Sequence, residues 1–450
     1  MKTESAVTSK GAKIALILCG ALLTGMLWRV RGTHGWGSSW GLLNVGFVLI
    51  LFLASFVRVG KTPYGVIGLA AFSFMLTTPA WGTLNSQITG VLSVAVPGEE
   101  TVDVAVSPVS GIILMLLMGF GLAGVFGVML GICFGKGKRV IPEMAAVAAA
   151  ALIVSYAAKA SVAHPLVRLI EPQAAKTFAE GLAEIGADTG VYKAYLAHFN
   201  SESWAKYVFG GRNYYACVSA VSAALGAVAA AVTARFAFGD RFAAKTGAAV
   251  CSSFAFAITL SDLFFFFSGG GFRHMQGFSL PDGFAAWSLW EYFTGFIAGG
   301  LITYFILKNV SSRDGKIEIP SGPGNKVLNI TGYVIFAAAA AVNAVRPALV
   351  RYDFAAAGIV IAVVAGAGVL ALCAVYFKKG RLFGFGDVCP FLCVLFVVYD
   401  FVIYMFAGDE PNISSLADAH NILVCISAAY CAVIIPVFRR SYHGKDQTAV

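Results

Sequence analysis

The sequence predicts an all-α, polytopic membrane protein of about twelve transmembrane helices, with both termini on the cytoplasmic side. Three observations predict it: an apolar excess with few charges, twelve apolar stretches of helix length, and basic clusters at every second connection. Of the 450 residues, 58% are hydrophobic and 12% are charged, and the mean hydropathy is +0.79. Soluble domains carry about 25% charged residues. This chain lacks the polar surface to coat a globule of its size in water, so lipid is the solvent for much of it.

A hydrocarbon core of about 30 Å takes roughly 20 helical residues. Residues 1–13 form a polar, basic tail, and the apolar run after it reads as a retained helix because no small-residue cleavage site stands out. The spans of the first half are 14–30, 42–57, 64–79, 109–134, 140–158 and 214–236. Those of the second are 243–267, 287–307, 328–345, 354–377, 388–406 and 421–438. The chain thus divides into the tail 1–13, a half 14–236, a half 237–438 and a second tail 439–450.

Lysine and arginine collect on cytoplasmic connections. Here they cluster at Lys2/Lys10/Lys13, Arg58/Lys61, Lys136/Lys138/Arg139, Arg235/Arg241/Lys245, Lys308/Arg313/Lys316/Lys326, Lys378/Lys379/Arg381 and Arg439/Arg440/Lys445. A wrong span count would break that alternation, and it holds from end to end. The basic excess of +9 is therefore topological, and no nucleic-acid-binding pattern accompanies it. The outward connection 159–212 is long, and Leu169, Phe178, Leu182 and Ile185 fall near helical spacing within it. That spacing suggests an amphipathic helix on the outer interface, either a surface cap or a ligand contact.

The halves share patterns. The sixth span opens Asn213-x-x-x-Cys217-Val-Ser219-Ala220 and the twelfth Asn421-x-x-x-Cys425-Ile-Ser427-Ala428. Val66-Ile67, Ala70-Ala71 and Pro79-Ala80 in the third recur as Val334-Ile335, Ala338-Ala339 and Pro347-Ala348 in the ninth. These matches predict a 6+6 tandem repeat with both halves in one orientation. The architecture resembles the two halves of major-facilitator transporters. The loop Arg58-Val-Gly-Lys61 lacks the Gly-x-x-x-Asp-Arg-x-Gly-Arg pattern usual there, so the likeness is one of architecture.

Candidate solute-binding residues lie on two glycine-rich outward turns. The first runs Trp28-Arg29-Val-Arg31-Gly-Thr-His34-Gly-Trp36-Gly-Ser-Ser-Trp40-Gly41. Arg29 and Arg31 sit where the charge rule disfavours them, so they either meet an anion or acidic partner or anchor the helix at headgroup depth. The second runs Ser268-Gly-Gly-Gly-Phe-Arg273-His274-Met-Gln276. Three glycines in succession predict that the seventh span unwinds there. Asn343 and Arg346 form a further polar cluster at the outer end of the ninth span.

Asp262, Glu291 and Asp400 are acidic residues inside apolar spans. Intramembrane charge is costly, which makes each a candidate for proton coupling, with a static arginine pair as the other reading. Glu143 is expected to pair with Lys138 or Arg139. The glycines of span four, Gly119, Gly121, Gly124, Gly127, Gly131 and Gly135, read as a close-packing face. The nine cysteines include no CxxC and read as small packing residues. No metal site, cofactor motif or nucleotide-binding loop is expected.

Two functions from different classes follow, with a non-catalytic assembly partner as a third. The first is a secondary transporter for a small, polar, anionic solute in a bacterial cytoplasmic membrane, proton-coupled through the buried acids. The second is a polytopic acyl- or glycosyltransferase at the outer face, with His34 or His274 as base.

Overall fold

The structure is a computed structural model. It describes residues 10–33, 38–56, 64–76, 90–94, 102–135, 139–172, 214–268, 284–309 and 418–443, with isolated positions such as Ile88. The helices are α1 (Lys10–Thr33), α2 (Ser38–Phe56), α3 (Tyr64–Leu76), α4 (Pro108–Leu122), α5 (Gly124–Phe134) and α6 (Val140–Lys159). They continue as α7 (Ala163–Ile170), α8 (Tyr214–Phe236), α9 (Arg241–Ser261), α10 (Leu263–Ser268), α11 (Ala286–Asn309) and α12 (Ala419–His443). A short antiparallel hairpin, β1 (Val91–Val94) with β2 (Val102–Ala105), interrupts the helical series between α3 and α4.

Local chemistry sets several ends. Pro108 opens α4, where its missing N–H costs nothing, and the Ser107 hydroxyl accepts the Ser110 N–H at 3.3 Å. Asp240 caps α9 by accepting the Ala243 N–H at 2.8 Å. Gly239 takes φ +70°, a left-handed conformation open to glycine. That turn reverses the chain between α8 and α9 within four residues.

Among the described residues five helices are long and apolar enough to cross a membrane, or six if α4 and α5, bent by 42° at Ala123, form one span. The apolar parts of α2, α3 and α12 are shorter. Only 28% of the apolar window in α6 is buried, and Ile153, Val154 and Tyr156 face outward. An apolar surface of that extent requires lipid. The chain is an α-helical, multi-pass membrane protein.

Helix α1 lies along α11, with α2 and α12 beside it, while α9 packs on α5, α4 and α11. The most extensive of these contacts join elements far apart in sequence. At the α1–α11 seam, a Cβ on Gly295 would strike the Thr24 carbonyl and Trp28, and one on Gly299 would strike Thr24 and Gly20. Gly295-x-x-x-Gly299 thus lets two backbones touch. The glycine face of the fourth span is split: Gly119, Gly127 and Gly131 abut α9, and Gly121 and Gly124 abut α8. The described cysteines form no disulfide, and Cys19 meets Cys431 at 3.7 Å between α1 and α12.

Candidate functional site

Helix α1 extends three residues beyond the expected end of the first span, into the first glycine-rich segment, and ends at Thr33. Arg29 and Arg31 are therefore helical, and each is 1% exposed. Burial replaces the expected rim anchoring. At 1.5 Å per residue Arg29 stands roughly 30 Å along the axis from Lys10, about one hydrocarbon thickness. The two guanidiniums lie near the C-terminal end of α1, enclosed by protein.

Their described partner is Glu291 on α11, also 1% exposed. Arg29 Nη1 lies 3.8 Å from Glu291 Oε2, and Arg31 Nη2 lies 3.5 Å from Glu291 Oε1. Charge-assisted hydrogen bonds close to about 2.7–2.9 Å. These contacts are electrostatic without being clamped. The trio comprises two cations and one anion.

Aromatic rings wall the trio on one side. The Arg31 guanidinium carbon sits 4.5 Å from the Trp28 ring centre, a cation–π contact that strengthens away from water. Trp28 in turn packs on Phe254 of α9 and Phe74 of α3, and Phe74 stacks on Phe126 of α5 at 4.3 Å. Four helices thus converge behind one arginine. Arg31 also sits in the last turn of α1, where the helix dipole favours a cation.

Asp262 is fully buried at the junction between α9 and α10. Its Oδ2 accepts the Ile88 N–H at 3.0 Å, joining this junction to the chain just before the hairpin. Helical hydrogen bonds from Asp262 N–H to the Ile258 carbonyl and from Phe266 N–H to the Asp262 carbonyl carry the seventh span past this junction, and α10 ends at Ser268, where the glycine run begins. Glu143, expected to pair with Lys138 or Arg139, makes no ion pair with Arg139 among the described residues, and Lys138 lies outside them. It is buried, and its charged neighbour is Asp240.

His34, Arg273, His274, Gln276, Asn343, Arg346 and Asp400 lie outside the described residues. Of the eleven residues singled out from sequence, the structure brings Arg29, Arg31 and Glu291 together and places Asp262 at a separate junction. Sequence reasoning passed over Trp28 as a cation–π partner and Gly295/Gly299 as the seam. It also passed over the Tyr292 hydroxyl, which meets the Ser427 hydroxyl at 2.7 Å between α11 and α12. The glycine spacing was a usable signal. So was the three-residue spacing of Trp28 and Arg31 on one helix; the Tyr292–Ser427 contact joins separate spans and leaves none. No group of three metal-ligating side chains occurs among the described residues. No protein family, curated protein or solved structure matches the chain.

Proposed function

We propose that the chain is a secondary transporter for a small, polar, anionic solute in the cytoplasmic membrane of a bacterium. About twelve spans form two six-helix halves of like orientation. The observation that carries this reading is the trio Arg29, Arg31 and Glu291, three charges from two membrane helices, each 1% exposed. Charges at such sites are costly and mark transport paths and proton relays. The register of Ser219-Ala220 in α8 with Ser427-Ala428 in α12 adds support for the repeat, since all four are buried near the start of their helices.

The chemistry follows from competition. A solute carboxylate or phosphate and the Glu291 carboxylate seek the same guanidinium forks. A proton on Glu291 removes the internal competitor and opens the arginines to the solute. Loss of that proton restores the competitor and expels the solute. Proton and anion then move in the same direction. Arg273, His274 and Gln276 from the second glycine turn, His34 from the first, and Asn343 with Arg346 complete the solute site in this reading. Asp262 and Asp400 extend the proton path.

The test is uptake by proteoliposomes offered a panel of labelled inorganic phosphate, mono- and dicarboxylates and amino acids under an imposed pH gradient. Wild type accumulates an anion, Arg31→Ala does not, and Glu291→Gln transports without responding to the gradient. Wild-type behaviour of Arg31→Ala would remove the proposal.

A further inference from the structure

A cleft of about 300 Å³ opens between α8 and α9 beneath Phe120 of α4. Its size is at the lower end of small-molecule sites, but its lining differs from theirs. Ala231 and Val232 on one wall and Ala248 and Cys251 on the other offer almost no polar surface, and Arg235 is the one charged residue in the lining. Val228, Val232 and Phe236 are 47%, 48% and 77% exposed, so the cleft opens sideways, toward lipid.

Charge is confined to one end. Arg235 closes the last turn of α8, and Arg241 opens α9 after the tight turn at Gly239. Lys245 follows one turn into α9, between Ala244 and Ala248 of the cleft wall. The carboxylate of that tight turn, Asp240, is engaged as the α9 cap, so the three basic groups outnumber it. From Arg241 to Cys251 is ten residues, roughly 15 Å of helix, or about half of a 30 Å hydrocarbon core. The cleft therefore has the depth of one leaflet, a cationic mouth and an apolar shaft.

We propose that this cleft binds one anionic phospholipid, with its phosphate at Arg235, Arg241 and Lys245 and an acyl chain between α8 and α9. The complementarity is twofold. Three basic side chains at one end match a negative headgroup, each contributing through the surface field. The apolar shaft accepts an acyl chain by shape and dispersion contact, since a chain arriving from surrounding lipid gains no transfer energy from water. A zwitterionic lipid satisfies the shaft and gains little from the mouth. The lipid would brace α8 against α9 where their shared surface is built from alanine and glycine.

The experiment is native mass spectrometry of the purified full chain, exchanged from micelles holding equal amounts of phosphatidylglycerol and phosphatidylcholine. Wild type is expected to retain one phosphatidylglycerol in preference. Arg235→Gln should lower that preference about five-fold, the equivalent of about 1 kcal/mol for one basic residue near an anionic surface, and Arg235→Lys should keep most of it. Ala248→Phe, which fills the shaft and leaves every charge in place, should abolish retention. Val228→Trp at the exposed rim does the same if Ala248→Phe aggregates. Equal retention of both lipids by wild type would mean an unselective lipid annulus and overturn the proposal. Undiminished phosphatidylglycerol in the shaft-filling variants would overturn it equally.

Discussion

The Cβ that Gly41 lacks would fall on the Arg31 side chain, so α2 passes the arginine at a distance open only to glycine. The stem of Arg31 is thereby held between Gly41 and the Trp28 ring. Gly41→Ala should displace the guanidinium from both Trp28 and Glu291. Overpacking of this kind costs typically about 1–3 kcal/mol, read as a lower thermal midpoint in detergent. Gly11→Ala is the comparison, because nothing lies within 4 Å of that position. Its midpoint should stay level or rise slightly.

The charged trio separates stability from function. Glu291→Ala leaves two buried guanidiniums without their described carboxylate, a loss of about 3–5 kcal/mol when one partner of a buried pair is removed. Replacing all three by apolar residues of similar volume, Arg29→Met, Arg31→Met and Glu291→Leu, removes the charges together. Such exchanges are often neutral for stability. The triple variant should therefore unfold near wild type in a thermal scan and carry no anion flux. A triple variant that still transports would place the solute path elsewhere.

Asp262 holds a backbone group as well as a charge. Its Oδ2 accepts the Ile88 N–H, and an amide oxygen can accept that bond too. Asp262→Asn should stay close to wild type in thermal stability. Asp262→Ala strips the acceptor and should cost about 1–3 kcal/mol, as for a buried donor left without its partner. Equal midpoints for the two variants would show that the Ile88 tie contributes nothing.

How much of this was legible in the sequence depends on whether a signal is local. Apolar length and charge alternation are local, and they disclose the membrane class and most helix positions. Arg29 and Arg31 stand out because cations follow an apolar run where the charge rule disfavours them. Glu291 stands out as an acid amid Trp287-Ser-Leu-Trp and Tyr292-Phe-Thr-Gly. Their meeting is not local. It depends on α1 lying along α11, a seam set by Gly20 against Thr303, Gly25 against Phe296, and Gly295 and Gly299 against Thr24. Gly295-x-x-x-Gly299 is visible as a close-contact motif, yet a motif carries no address for its partner. The first span, expected over 14–30, continues helical for three more residues. Glycines at 32, 35 and 37 favour a turn, but burial of Trp28, Arg29 and Arg31 against four helices keeps the chain helical to Thr33.

The short amphipathic α7 rests on α8 through a titratable contact. His164 is half-buried, and its Nδ1 lies 2.8 Å from the Tyr214 hydroxyl. Burial, the largest cause, holds the imidazole below its ordinary value of 6.5; a hydrogen bond involving the Lys159 backbone opposes this and the Arg168 charge adds to it. The unfolded segment therefore binds its proton at a higher pH than the docked one. Linkage then fixes the sign: docking is strongest above 6.5 and weakens as pH falls through the window between the two values, levelling off below the docked value. Because His164 is partly open to solvent, the effect is local to α7. Hydrogen exchange of Ala163–Ile170, corrected for its intrinsic pH dependence, should show protection falling between about pH 7.5 and about pH 5. In His164→Gln, which keeps a hydrogen-bonding group but does not titrate in this range, protection should be flat across the same interval. A parallel fall in that variant would assign the pH response to another group and leave the His164–Tyr214 contact as packing alone.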